Sequence, residues 1–182
     1  EEVKLSLNEM ITRRDEAARS TTHGLDFEQA VFALLQQESQ RTGDIATHTG
    51  NTTGLIKNCK VGDCVIELEQ ENSAAGATII MEAKQKKEYN VAKAREEIET
   101  ARKNREAQTG LFVFSQKSAP DGMEPFARYG SDVLVIWDPE QPDSDLYLKT
   151  GLTLARALCI RAGQQNEAKA ADFRAIETAV LE

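Results

Sequence analysis

Gly62-Asp63-Cys64-Val65-Ile66-Glu67-Leu68, followed after a short polar interval by Ala77-Thr78-Ile79-Ile80-Met81-Glu82-Ala83-Lys84, is the stretch whose reading decides the fold. Both runs are rich in apolar and β-branched residues, and the interval 69–76 is small and polar, so a β-hairpin is predicted. The second run is apolar on both faces, which predicts a central strand covered on either side. Antiparallel pairing brings the start of the first strand to the end of the second, and so Asp63 to Glu82. Glu82 and Lys84 are two residues apart, so their side chains leave the same face of the strand.

Outward from the hairpin, helical periodicity predicts a helix over 26–40, with Phe27, Ala30, Val31, Leu34 and Leu35 on one face and Asp26 as its cap. Residues 41–60 are polar, contain Gly43, Gly50 and Gly54, and allow at most one short strand. A helix over 91–108 carries the stripe Val91, Ala94, Ile98, Ala101 and ends at Gly110. Strands are predicted at 111–114 and 132–137, separated by a loop over 118–130. Two helices follow, at 152–162 and 165–181. A further helix over 3–18 precedes this body. The order is that of an α/β domain with a mixed central sheet flanked by helices. The boundaries read as a helical extension (1–22), the main domain (23–162) and a C-terminal helix (163–182). The chain opens on Glu1 rather than Met, which is expected of a fragment or a processed product.

The 182 residues carry 22 Lys and Arg against 30 Asp and Glu, a net charge of −8. An acidic surface repels a phosphate backbone, so the chain does not read as a freestanding tight DNA binder. Its cations are segregated, however: Lys84, Lys86, Lys87, Lys93, Arg95, Arg102, Lys103 and Arg105 crowd one stretch. No apolar run reaches membrane-spanning length and no secretory leader is evident. Three cysteines do not make a disulfide framework; Cys64 and Cys159 read as buried core thiols, which favours a cytoplasmic setting. Two histidines leave little material for a His-based metal site, and His48 reads as a loop or edge-strand residue. No phosphate loop, dinucleotide-binding turn or zinc-protease helix is present.

Glu-x-Lys alone carries little information, because it occurs three times: Glu2–Lys4, Glu82–Lys84 and Glu167–Lys169. Only Glu82–Lys84 ends an apolar strand whose hairpin partner opens on Gly-Asp. A carboxylate and an ammonium at the end of a buried strand are costly without a purpose. The competing reading is a salt bridge that caps the strand.

This arrangement resembles the signature of the PD-(D/E)XK, or restriction-endonuclease-like, superfamily, and within it the RmuC-like nuclease domains, over residues 24–137. Gly62 stands where the family name has proline. The resemblance implies a Mg²⁺-dependent nuclease, with Mn²⁺ as a substitute, acting on DNA in restriction, repair or recombination. It implies that Asp63 and Glu82 hold the ion with the Ala83 carbonyl, and that Lys84 orients or activates water and steadies the phosphate. It also makes Glu28 a fourth member of the site, although a helix-start acid favoured by the dipole explains that residue equally well. Gln85, Lys86, Arg102 and Arg105 are candidate substrate contacts, against the alternative that they are solvated surface. RNA as substrate is not separable from DNA at this level. The alternative function is a catalytically inactive scaffold of the same fold, assembling with itself or a protein partner through its terminal helices.

Overall fold

The computed structural model describes residues 27–69 and 76–181; the predicted helix 3–18 lies outside them. Helix α1 covers residues 27–41, and strands β1 (Ile45–His48), β2 (Cys64–Glu67) and β3 (Thr78–Lys84) follow. Next come α2 (Val91–Arg105), β4 (Thr109–Ser115), β5 (Phe126–Tyr129), β6 (Asp132–Trp137) and, after a 3-10 turn at Pro142–Ser144, α3 (Asp145–Leu181). The six strands form one mixed sheet in the order β1-β2-β3-β4-β6-β5. β1/β2, β2/β3 and β5/β6 are antiparallel, while β3/β4 and β4/β6 are parallel.

β3 is a central strand, as its two-sided apolar run predicts: Ile79 to Ala83 are all buried. Successive side chains leave opposite faces. Ile79, Met81 and Ala83 join one core with Phe27, Val31 and Leu35 of α1 and Leu148, Leu152, Ala155 and Cys159 of α3. Ile80 joins the other, with Ala94, Ile98 and Ala101 of α2 and Phe112 and Phe114 of β4. Glu82 and Lys84 share the face of Ile80 and so point towards α2, the crossover helix between the parallel strands β3 and β4.

Three local expectations change. Residues 126–129, predicted as loop, form edge strand β5, paired from Phe126↔Val135 to Tyr129↔Asp132 across a Gly130-Ser131 turn. Gly130 has φ +64°, which makes that tight turn cheap. The two predicted C-terminal helices are one continuous α3, starting at Asp145. Gly163 lies within it; a helical glycine costs about 1 kcal/mol relative to alanine and does not by itself end a helix. Finally, Gly110 does not stop α2, which ends at Arg105 with Glu106 in the left-handed conformation (φ +53°). Gly110 lies inside β4, where a Cβ would come within 2.4 Å of Ile98 Cγ1, so its absence lets α2 approach the sheet. No helix among the described residues is long and apolar enough to cross a membrane.

Candidate active site

Asp63 immediately precedes β2, and Glu82 stands near the end of β3. The Asp63 N–H donates to Met81 O at 2.9 Å, while Cys64 is the register partner of Met81. Two residues therefore face one at the mouth of the hairpin, a local offset of the bulge kind that re-aims a side chain. Asp63 Oδ2 accepts from Ala83 N–H at 2.9 Å, and Glu82 Oε2 accepts from Gly62 N–H at 2.7 Å. Each carboxylate is thus held by the amide beside the other. Gly62 has φ +106°, and a Cβ there would lie 2.7 Å from Ile80 Cδ1. Proline fits neither this φ nor the donated N–H, which gives a physical reason for glycine at that position.

Lys84 bonds Glu82 Oε1, and its Nζ lies 3.1 Å from Glu97 Oε1 on α2. The Tyr89 hydroxyl donates to Glu97 Oε2. Burial and then the neighbouring Asp63 charge push Glu82 up to about 8, although Lys84 opposes them. Burial likewise raises Asp63 to about 6, against the pull of Lys84 and the Ala83 amide. Burial pushes Lys84 down, but the carboxylates of Glu82, Asp63 and Glu97 outweigh it, and the ammonium is held charged. For Glu97 burial is outweighed by the Tyr89 hydroxyl and Lys84, so its carboxyl titrates below the usual range. Glu97 and Tyr89 escape the motif reading. The signal was available, since position 97 falls on the same helical stripe as Ala94, Ile98 and Ala101.

Glu28, on the first described turn of α1, reaches the rim of this cluster. Its Oε1 lies 2.9 Å from His48 Nε2. A Cβ on Gly50 would be 3.1 Å from Glu28 Oε1 and 3.5 Å from Asp63 Oδ1, so both oxygens converge on one bare backbone position. The Glu28 charge contributes to raising Asp63. His48 stands on edge strand β1, with its ring edge-on to Phe32 at 5.4 Å. The Ala83 N–H points to Asp63; N–H and C=O of one strand residue face the same neighbour, so the Ala83 carbonyl also looks into the site.

The predicted substrate contacts are dispersed. Gln85 lines a cleft with Phe27, Ser115, Lys117 and Asp138 at the carboxyl ends of β3, β4 and β6, and Lys86 is exposed just beyond. Arg102 is not brought to the site: it pairs with Asp132, at the opposite end of the sheet, with Nε 2.7 Å from Oδ1. Arg105 faces protein carbonyls, donating from Nη2 to Thr49 O at 2.9 Å and Thr52 O at 2.7 Å. Beside it Asn104, fully buried, donates to Cys59 O and Val61 O and accepts from Ile56 N–H. These two residues clamp the segment 49–62, which ends on Gly62 and Asp63. The Thr49 and Gly50 amides in turn donate to Asp63 O at 2.8 and 3.1 Å. Asn104 and the clamp were not foreseen, because their partners are backbone groups that no sequence pattern reports.

Among the described residues no group of three or more His, Cys, Asp or Glu is arranged so that it could hold a metal ion. Two carboxylates with a backbone carbonyl are nevertheless the kind of hard-oxygen set that Mg²⁺ accepts when water and substrate phosphate complete its shell. Among the described residues Asp63 Oδ1 meets no hydrogen-bond donor, and burial disfavours the anionic form of both acids. A divalent cation would offset both conditions. The donor set therefore fits such an ion. No protein-family model, curated protein or solved structure matches the chain.

Proposed function

We propose that the chain is a divalent-cation-dependent nuclease of the PD-(D/E)XK type, with a restriction-endonuclease-like fold, that hydrolyses phosphodiester bonds in DNA. The observation that carries this reading is the interlocked pair Asp63 and Glu82 with the Lys84 ammonium between Glu82 and Glu97. Asp63, Glu82 and the Ala83 carbonyl would hold Mg²⁺ or Mn²⁺. When bound, the ion supplies charge neutralisation at phosphorus and acidifies a coordinated water. Lys84, held cationic by its acidic neighbours, would donate hydrogen bonds to the attacking water and to a non-bridging phosphate oxygen. Glu97 gives that ammonium a second anchor, which would keep it placed if Glu82 were engaged by an ion. Glu28 stands close enough to join through water. Restriction, repair or recombination in the cytoplasm is the setting this chemistry suits.

The test is cleavage of circular and linear DNA by the full chain in Mg²⁺, with Asp63→Ala and Lys84→Ala beside it. Loss of about a hundredfold or more in each variant is expected, the scale of removing charge stabilisation from a phosphoryl-transfer site. Cleavage at the wild-type level by both variants overturns the reading. A second reading, an inactive scaffold of the same fold assembling with itself or a partner through its terminal helices, is favoured by one observation. Lys84 pairs with both Glu82 and Glu97, as a salt bridge that caps the strand would. Calorimetric titration with Mn²⁺ separates the two, because the scaffold predicts no heat that depends on Glu82.

A further inference from the structure

Residues 49–62, between β1 and Asp63, contain Lys57 and Lys60 and no Asp or Glu. Within it Leu55 is 66% and Ile56 41% exposed; the other exposed large apolar side chains among the described residues are Ile45, Leu146 and Tyr147. Adjacent aliphatic side chains in water are ordinary on a floppy loop. Here they are held out by a loop whose backbone is hydrogen-bonded to Asn104 and to itself.

Leu55 N–H donates to Asn104 O and Ile56 N–H to Asn104 Oδ1, at 2.9 and 3.0 Å. Gly54 N–H to Cys59 O and Cys59 N–H to Ile56 O close the turn around them. Gly54 leaves no room for a side chain, since a Cβ would lie 2.3 Å from Asn104 O. Lys57, Asn58 and Lys60 flank the two aliphatics, all exposed. The segment then runs through Gly62 into Asp63.

We infer that the loop 53–60 is a docking surface for single-stranded DNA, with Leu55 and Ile56 against base faces and Lys57 and Lys60 against phosphates. The inference rests on the nuclease reading for what the site then does, but the surface itself stands on charge, exposure and a hydrogen-bonded backbone. A polyanion fits the acid-free, basic loop, and its affinity follows the lysine contacts. Apolar side chains reach base faces at least cost where the bases are already unstacked, as in a single strand or a frayed end, whereas a duplex must first be unstacked. Pre-ordering by Asn104 and Arg105 removes the entropy cost of fixing the loop at the moment of binding.

The test uses the full chain in EDTA, where cleavage is excluded, with a fluorescent single-stranded oligonucleotide and its blunt duplex followed by anisotropy over a range of salt. L55S/I56S is expected to weaken single-strand binding roughly tenfold, with the salt slope unchanged. K57Q/K60Q is expected to weaken both substrates and to lower the salt slope by about 1.4 on the single strand and about 1.8 on the duplex. Wild-type binding of the single strand by both double variants overturns the inference, as does failure of the wild type to bind it. A shift of L55S/I56S from dimer to monomer in sedimentation, with DNA binding intact, assigns the patch to self-association and also overturns it. Cleavage that depends on Asp63 while the loop variants bind normally sinks this inference and leaves the nuclease standing. Loop-dependent binding without any Asp63-dependent cleavage does the reverse.

Discussion

Asp63 and Glu82 are each held by the backbone amide next to the other: Ala83 N–H on Asp63 Oδ2, Gly62 N–H on Glu82 Oε2. The arrangement fixes one oxygen of each acid and leaves the remaining one to other partners, Lys84 for Glu82. It also places two buried acids side by side: burial raises both, and the Asp63 charge makes Glu82 harder still to ionise.

The pH dependence of stability follows from the burial of both acids, with the Asp63 charge adding to it at Glu82. Asp63 and Glu82 have folded-state values raised to about 6 and about 8, above their usual 3.8 and 4.5. The folded chain therefore binds more protons than the unfolded chain between about pH 4 and pH 8, and this contribution to stability is lost as pH rises through that window. Without added metal, the melting temperature is expected to fall from pH 5 to pH 8, and D63N/E82Q to flatten the decline. Mg²⁺ should restore stability at pH 8. An unchanged slope in the double variant, followed by circular dichroism, contradicts the assignment.

Glu97 should matter for the ion without touching it. E97Q keeps an acceptor for Tyr89 but withdraws the charge that draws Lys84 from Glu82. Mn²⁺ affinity measured by calorimetry is expected to drop several-fold, and Y89F to reproduce part of the loss. Equal affinities in both variants would show that Lys84 needs no second anchor.

Gly62 is required by its backbone. In G62A a methyl group meets Ile80 Cδ1 at 2.7 Å, on a residue already at φ +106°. A cost of about 1–3 kcal/mol in urea unfolding is expected for such a strained position. G62P should cost more, because it also deletes the donor to Glu82.

Asn104 should be the most sensitive polar residue outside the acid cluster. N104A leaves Cys59 O, Val61 O and Ile56 N–H without their side-chain partner. Loss of a buried, multiply bonded amide predicts about 2–4 kcal/mol of destabilisation in denaturant. Faster hydrogen exchange at Leu55 and Ile56 should accompany it, and no change there would mean the loop holds itself.

The sequence by itself determined the hairpin, the central position of β3 and the shared face of Glu82 and Lys84. Those are consequences of local period: strand alternation, two-sided hydrophobicity and a polar interval between two runs. Helix α2 was legible for the same reason. Edge strand β5 was not, because four half-exposed residues carry little periodicity and are defined by pairing with β6. The single α3 was obscured by Gly163, whose local preference is overridden where the chain is already helical on both sides. Only the tertiary structure decided how the site is held. Glu97 enters through the packing of α2 against β3, Glu28 through α1 packing on the opposite face, and Asn104 and Arg105 through backbone carbonyls about 45 to 55 residues away in sequence. Arg102, equal to Arg105 on the helix surface by spacing, went to Asp132 at the far end of the sheet. Spacing determines which residues share a face, whereas long-range packing determines what that face meets.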